Sequence, residues 1–145
     1  MGNLKKEEIF FISENKDHLD IKMIYNFLHN ESYWAKGRDL KTVQKSIEHT
    51  SLCFGVYRKE DNKQVGFARV ISDFTTHAYL CDVFILPAYR GLGLSKWLLE
   101  SIVQYPDLKQ VKKMLLATQD AHSLYKKYGF EPIINPTLYM ERLNN

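Results

Sequence analysis

Cysteine is scarce in this chain of 145 residues: there are two, Cys53 and Cys81. Both stand inside apolar stretches without Cys-x-x-Cys spacing, which reads as reduced, packed thiols and argues against a disulfide or metal framework. Proline (four) and glycine (seven) are also sparse. There are no repeats, low-complexity tracts or linker-like segments. The histidines His18, His29, His49, His77 and His122 show no HExxH or comparable spacing, so no metal site is expected. No apolar run approaches the roughly 18 residues that a membrane-crossing helix needs. Neither sign of charge dominates, since 20 Lys+Arg against 17 Asp+Glu gives +3. That bias is too weak, and the basic residues too scattered, to argue for nucleic acid. Near the N-terminus the apolar stretch Ile9–Ser13 is too short for a signal-peptide core. Lys6 stands where a myristoylation signal starting at Gly2 wants Ser or Thr. The expectation is a cytoplasmic protein with no membrane partner.

What is present suits one domain over residues 1–145, with 45% hydrophobic and 26% charged residues. Ile9–Ser13 predicts a first strand. Leu19, Ile21, Met23, Ile24, Phe27 and Leu28 recur at helical spacing over His18–His29, with Asp17 as the expected cap. Gly37 and Arg38 break that run, and Asp39 can cap a second helix carrying Leu40, Val43 and Ile47. Ser51–Arg58 and Gln64–Ser72 flank the polar turn Glu60-Asp61-Asn62-Lys63 and predict a hairpin. Ala78–Leu86 is the next strand, stopped by Pro87. A helix from about Leu94 to Gln104 is stopped by Pro106. A strand at Lys113–Thr118, a short helix at Ala121–Tyr128 with Gly129 as its C-cap, and a last strand at Thr137–Leu143 complete the mixed α/β order.

The most specific local feature is Asp82-Val-Phe-Ile-Leu-Pro87-Ala-Tyr-Arg90-Gly91-Leu92-Gly93-Leu94-Ser95. A strand ends at a proline, and an Arg-Gly-x-Gly turn leads straight into a helix. Gly91 and Gly93 let backbone N–H groups crowd toward a ligand, and the helix aims its unpaired N–H groups and positive dipole end at the same point. With Arg90 these parts form a cradle for a pyrophosphate. An ordinary tight turn is the alternative. Rival phosphate loops fit worse, because GxxxxGK[ST] is absent and the run lacks the third glycine of a dinucleotide fingerprint.

This segment resembles the acyl-CoA motif of the GNAT superfamily: a strand, then [QR]-x-x-G-x-[GA], then a helix. Arg90, Gly93 and Ser95 fall on its defined positions, with Ser95 where the family has Gly or Ala. A second match is Thr118-Gln-Asp-Ala121-His-Ser-Leu124-Tyr125-Lys-Lys-Tyr128-Gly129-Phe130, which is similar to the family's N-x-x-A-x-x-L/F-Y-x-x-x-G-F segment, with Thr118 in place of the usual Asn. The resemblance spans most of the chain and is tightest over Ala78–Phe130. It implies a GNAT-like fold: a mixed, mainly antiparallel sheet splayed between the Ala78–Leu86 and Lys113–Thr118 strands, with helices on both faces. It also implies that acetyl-CoA is the cosubstrate, its pyrophosphate held by N–H groups of Gly91, Leu92, Gly93, Leu94 and Ser95, with Thr118 at the pantetheine.

The implied activity is transfer of an acetyl group to an acceptor amine, either a small molecule or a protein amine, by direct attack in a ternary complex. An amine with a pKa near 10 must first lose its proton. Attack builds an oxyanion, for which the resemblance implies a backbone N–H of Val83, Phe84 or Ile85. Tyr125 is the expected acid toward the departing thiolate, the alternative being a core aromatic, a role that suits Tyr128 better. Asp82 is the candidate base; equally it could be a carboxylate paired with Arg69 or Arg38. On the acceptor side Tyr33 and Trp34 could form an aromatic wall, unless Trp34 is core, and Arg38 could grip a carboxylate. Asp73, in the 72–77 loop, could bind an amine or simply belong to a solvated turn. Many relatives are dimers, which leaves a homodimer open. The rival readings are an acyl-CoA sensor without turnover and an interaction protein that kept only the fold.

Overall fold

In the computed structural model, which describes residues 5–144, a single helical turn α1 (Lys6–Ile9) runs into strand β1 (Phe10–Ser13). Helices α2 (Ile21–Asn30) and α3 (Leu40–Glu48) follow, each started by an aspartate: Asp20 accepts from the Met23 N–H at 3.1 Å and Asp39 from the Thr42 N–H at 2.8 Å. These carboxylates satisfy donors that the first helical turn leaves unpaired. The first cap is Asp20 rather than the expected Asp17, which sits in a 3-10 turn at Lys16–His18.

Strands β2 (Leu52–Arg58), β3 (Gln64–Ser72) and β4 (His77–Ile85) pair antiparallel in sequence, with β1 on the outer edge of β2. The β2–β3 turn works as its polar residues predict: Asp61 binds the Arg58 guanidinium, and Asn62 takes a left-handed φ of 58°. Then come α4 (Leu94–Val103), α5 (Pro106–Lys109), β5 (Lys113–Leu115) and α6 (His122–Lys126). Pro106, expected only as a stop, opens α5, where its missing N–H costs nothing. Strand β5 lies parallel to β4, so the sheet order is β1-β2-β3-β4-β5, mixed and mainly antiparallel.

Strand alternation divides the core between the two faces of the sheet. Cys53, Phe67 and Phe84 meet Ile24, Phe27, Val43 and Ile47 of α2 and α3 on one face. Phe54, Val56, Val70 and Leu80 meet Leu94, Leu98, Leu99 and Ile102 of α4 on the other. The helices thus lie on both faces, as predicted. Two features of β4 make the site. Its register to β3 runs from Arg69↔Cys81 to Phe67↔Phe84, one residue longer on β4, and Asp82 within that bulge has φ of 54°. Pairing to β5 covers only His77, Ala78 and Tyr79, so from Leu80 onward the β5-facing side of β4 has no strand partner. The predicted splay is therefore there.

The expected last strand is not. Residues 137–143 contribute only to a 3-10 turn at Pro136–Leu138 and an extended stretch without a ladder partner. Proline suits the opening of such a turn but not a ladder. The tail meets β5 through side chains, with the Tyr139 hydroxyl 2.9 Å from Lys113 Nζ, while Met140 is 97% exposed. Alternating apolar residues make a strand only where an edge receives them. Strand β5 is also shorter than expected, ending at Leu115 rather than Thr118. Among the described residues no helix is long and apolar enough to cross a membrane.

Candidate active site

The split between β4 and β5 opens a cleft of about 780 Å³. One end of it is a run of consecutive residues. A 3-10 turn at Pro87–Tyr89 ends β4, and Arg90 folds back so that Nε donates to the Ile85 carbonyl at 3.1 Å. Gly91 and Gly93 take φ of 82° and 79°, left-handed values that favour glycine, and Gly93 is the N-cap of α4 with no side-chain cap. The Trp97 N–H is the first to bond back, to the Gly93 carbonyl, so the N–H groups of Leu94, Ser95 and Lys96 have no partner within the helix. A Cβ built on either glycine meets no protein atom within 4 Å; the space beside them is open. Unpaired N–H groups, open glycines and a neighbouring guanidinium on one cleft together fit a pyrophosphate.

Midway along the cleft, Val83, Phe84 and Ile85 line one wall and Thr118 and Tyr125 another. The Thr118 hydroxyl accepts from the Ala121 N–H at 3.1 Å, which starts α6 and fixes the turn that carries Tyr125. Helix α6 stops at Lys126 with Lys127 as its C-cap, short of the expected Tyr128 and Gly129. Gly129, with φ of 90°, lies in the turn that follows, and Phe130 sits edge-on to the Tyr125 ring at 5.8 Å. Burial pushes the Tyr125 phenol up to about 12, with the nearby Tyr33 and Asp120 adding to the effect. Cys81, also on the wall, is pushed by burial up to about 11 and so is a thiol at neutral pH.

The other end is built from four separate segments. The loop between α2 and α3 is pinned by Ser32, which donates to the Leu28 carbonyl at 2.7 Å and accepts from the Ala35 N–H at 3.0 Å. His29 Nδ1 lies 2.9 Å from the Arg38 carbonyl. That loop presents Tyr33, Trp34 and Arg38 to the cleft. Trp34 Nε1 donates to Asp82 Oδ1 at 2.7 Å, while Arg38 Nη1 and Arg69 Nε donate to Asp82 Oδ2 at 2.8 and 2.6 Å. Asp82 is 4% exposed. Burial opposes its charge, but the two guanidiniums and the indole N–H hold its carboxyl below the usual carboxylate range. The Tyr33 hydroxyl accepts from the Gln119 N–H at 2.8 Å, tying the α2–α3 loop to the loop before α6.

These walls lie within residues 21–130, which match the Acetyltransferase (GNAT) family. The chain belongs to the GNAT acetyltransferase family. A Xanthomonas campestris protein belonging to the GNAT family is 46% identical, with 93% of each chain covered and a TM-score of 0.88. An uncharacterized N-acetyltransferase, ycf52 of Porphyra purpurea, is 31% identical over 89% of this chain and 81% of its own. A predicted acetyltransferase from Clostridium acetobutylicum, whose structure includes acetyl-CoA, shares the fold at a TM-score of 0.65 and 19% identity, with 94% and 96% of the two chains covered.

In this GNAT protein the cleft gathers Tyr125, Asp82, Val83, Phe84, Ile85, Arg90, Ser95, Thr118, Tyr33, Trp34 and Arg38. Gly91, Leu92 and Gly93 form the exposed turn at its rim, and the Leu94 side chain goes into the core, leaving only its N–H for a ligand. Asp73 is elsewhere. Its carboxylate accepts from the Thr75 and Thr76 N–H groups in an exposed turn, which is the solvated-turn reading, and it does not line the cleft. Asp82 likewise takes the ion-paired alternative, with both arginines at once. The cleft is also lined by residues that the sequence motifs do not mark, Phe27, Glu31, Tyr79, Cys81, Gln119 and Asp120 among them. Gln119 engages through its backbone, which no side-chain pattern announces. Arg69, a charge within the apolar strand β3, was the sequence signal for a buried partner.

Proposed function

We propose that this protein is an acetyl-CoA-dependent N-acetyltransferase in which the acceptor amine attacks the thioester directly. The observation that carries the reading is a single cleft joining three parts: the unpaired N–H groups of α4, the open side of β4 and Tyr125. Acetyl-CoA, when bound, supplies the acyl group in activated form. The N–H groups at Gly91–Ser95 and the Arg90 guanidinium hold the pyrophosphate. A backbone N–H of Val83, Phe84 or Ile85 supports the charge that grows on the acyl oxygen. Tyr125, protonated throughout the neutral range, donates to the departing sulfur.

Asp82 is better suited to positioning than to accepting a proton. Three donors occupy its oxygens, and its carboxyl is held below the ordinary range. The amine's proton leaves to solvent in this reading. A covalent acetyl-enzyme on Cys81 is disfavoured, because burial keeps the sulfur protonated and a thiol is a poor nucleophile.

The deciding experiment is a calorimetric titration with acetyl-CoA, with ATP as control, followed by thiol release across an amine panel. Saturable one-site binding with ATP inert, then amine-dependent release, supports the enzyme. Binding without release from any amine favours the acyl-CoA sensor. No binding overturns both.

A further inference from the structure

We propose that the acceptor is a small amine that also carries a carboxylate and an apolar body, an amino acid in chemical class, and that Arg38 with Arg69 holds the carboxylate. This rests on the acetyl-transfer reading of the same cleft. Asp82 offers one negative charge to two guanidiniums, so the part-buried cluster keeps an excess positive charge. The other acidic groups lining the cleft, Glu31 and Asp120, are exposed and form no ion pair with either arginine. Burying a cation without a full counter-charge is costly, and an anionic ligand relieves that cost.

Donors point the same way. Arg38 spends only Nη1 on Asp82, and its side chain lines the cleft and is 22% exposed. Among the described residues its remaining guanidinium N–H groups bond to no protein atom. Arg69 spends Nε on Asp82 and Nη1 on Thr50 Oγ1 at 3.2 Å, which leaves Nη2. A guanidinium with free N–H groups beside a second one suits a carboxylate better than a second ammonium. Asp82 orients both arginines from the bulge of β4, the segment that also presents the candidate oxyanion donors.

The apolar body follows from the same wall. Trp34 is locked by its bond to Asp82, with Tyr33 edge-on at 5.2 Å and Phe27 at 6.2 Å. Phe84 stacks on Phe27 at 3.9 Å. The aromatic rings and the guanidiniums thus border one space.

The test uses matched pairs that differ only in the carboxylate: phenylalanine against phenethylamine, and leucine against 3-methylbutylamine. With acetyl-CoA and thiol release as readout, kcat/KM is expected to favour each amino acid by about tenfold to a hundredfold, the worth of a charge-assisted contact. Arg38→Gln should remove that preference through KM of the amino acid while leaving the acetyl-CoA KM within about twofold, and Arg38→Lys should keep part of it. Circular dichroism checks that each variant is folded.

A second readout needs no turnover: calorimetric binding of N-acetylphenylalanine against N-acetylphenethylamine to wild type and Arg38→Gln. Tighter binding of the acid, lost in the variant, supports the proposal. Equal or tighter binding of the uncharged compound, or no binding of the acid at millimolar concentration, overturns it. So does an amine panel in which the decarboxylated partners turn over as well as the amino acids. Loss of acetyl-CoA binding would instead overturn the transferase reading, which the titration with acetyl-CoA detects separately.

Discussion

The two ends of the cleft are made in opposite ways. The end proposed for the phosphate comes from one continuous stretch, Pro87 to Ser95, and offers backbone N–H donors at the start of α4. The end proposed for the acceptor comes from the α2–α3 loop, β3, the β4 bulge and the loop before α6, and offers side chains joined by Asp82. A backbone site depends on local φ and on empty space, so few substitutions damage it, and those that do act mainly on binding. A side-chain network depends on every partner. Damage there is expected to reach stability and acceptor use together.

Gly93→Val would test the first end most severely. The new Cβ meets no protein atom, but the residue sits at φ of 79°, and the branched side chain would stand in the open space beside the N–H groups. Acetyl-CoA affinity should fall by about a thousandfold or more as several charge-assisted bonds are lost. The folded state should lose only about 1–2 kcal/mol to left-handed strain. Calorimetry and urea unfolding separate the two, and retained affinity would refute the cradle.

Tyr125→Phe joins the ends at the reaction centre. Turnover should drop by about 10²–10⁴-fold while acetyl-CoA affinity holds, as measured by steady-state rates beside calorimetry. Because burial raises the wild-type phenol to about 12, its titration should give no descending limb of rate between neutral pH and about pH 11. The rate should instead rise with pH as the acceptor amine deprotonates. A fall in rate near pH 9 in a protein still folded at that pH, unchanged in Tyr125→Phe, would exclude Tyr125 as the donor.

Asp82→Asn tests the second end. Removing the charge from the buried cluster leaves two guanidiniums facing each other and should cost about 3–5 kcal/mol of stability. Acetyl-CoA affinity, if the protein stays folded, should change little. The pH dependence has a definite sign. The native carboxyl is held below its unfolded value of about 3.9, so the unfolded chain binds the proton first as pH falls. Asp82 therefore contributes its full share above that value, and the share drains away as pH drops toward the native pKa. Urea midpoints between about pH 5 and pH 2 should show a decline in wild type that is shallower in Asp82→Asn; parallel declines would refute the linkage.

The smallest effect is expected from Tyr33→Phe, which deletes the acceptor for the Gln119 N–H and keeps the ring. A loss of about 1 kcal/mol is predicted from thermal unfolding, with a modest rise in acceptor KM. An unchanged KM would mean that the tie between the two loops does not shape the acceptor end.

Legibility in the sequence follows the same division. Asp39 as a cap, the hairpin around Glu60–Lys63 and the glycine turn into α4 were readable because each depends on neighbouring residues. Where a competing local signal or a distant edge decided the matter, the reading failed. Asp20 displaced Asp17 as the α2 cap, and residues 137–143 found no edge to join. The fate of Asp82 could not be chosen from sequence either. Its two stated roles, base or ion-pair partner, differ only in where Arg38 and Arg69 arrive, and those lie 44 and 13 residues away along the chain.

The sequence by itself determined the order of the main elements from β1 to α6, the division of apolar residues between two faces and the glycine turn into α4, because caps, turns and strand alternation act over a few residues. Tertiary structure alone decided where β5 parts from β4, and that Trp34, Arg38 and Arg69 converge on one carboxylate. A bulge of one residue and the docking of a loop against a sheet set those distances, and neither leaves a periodic trace in the chain.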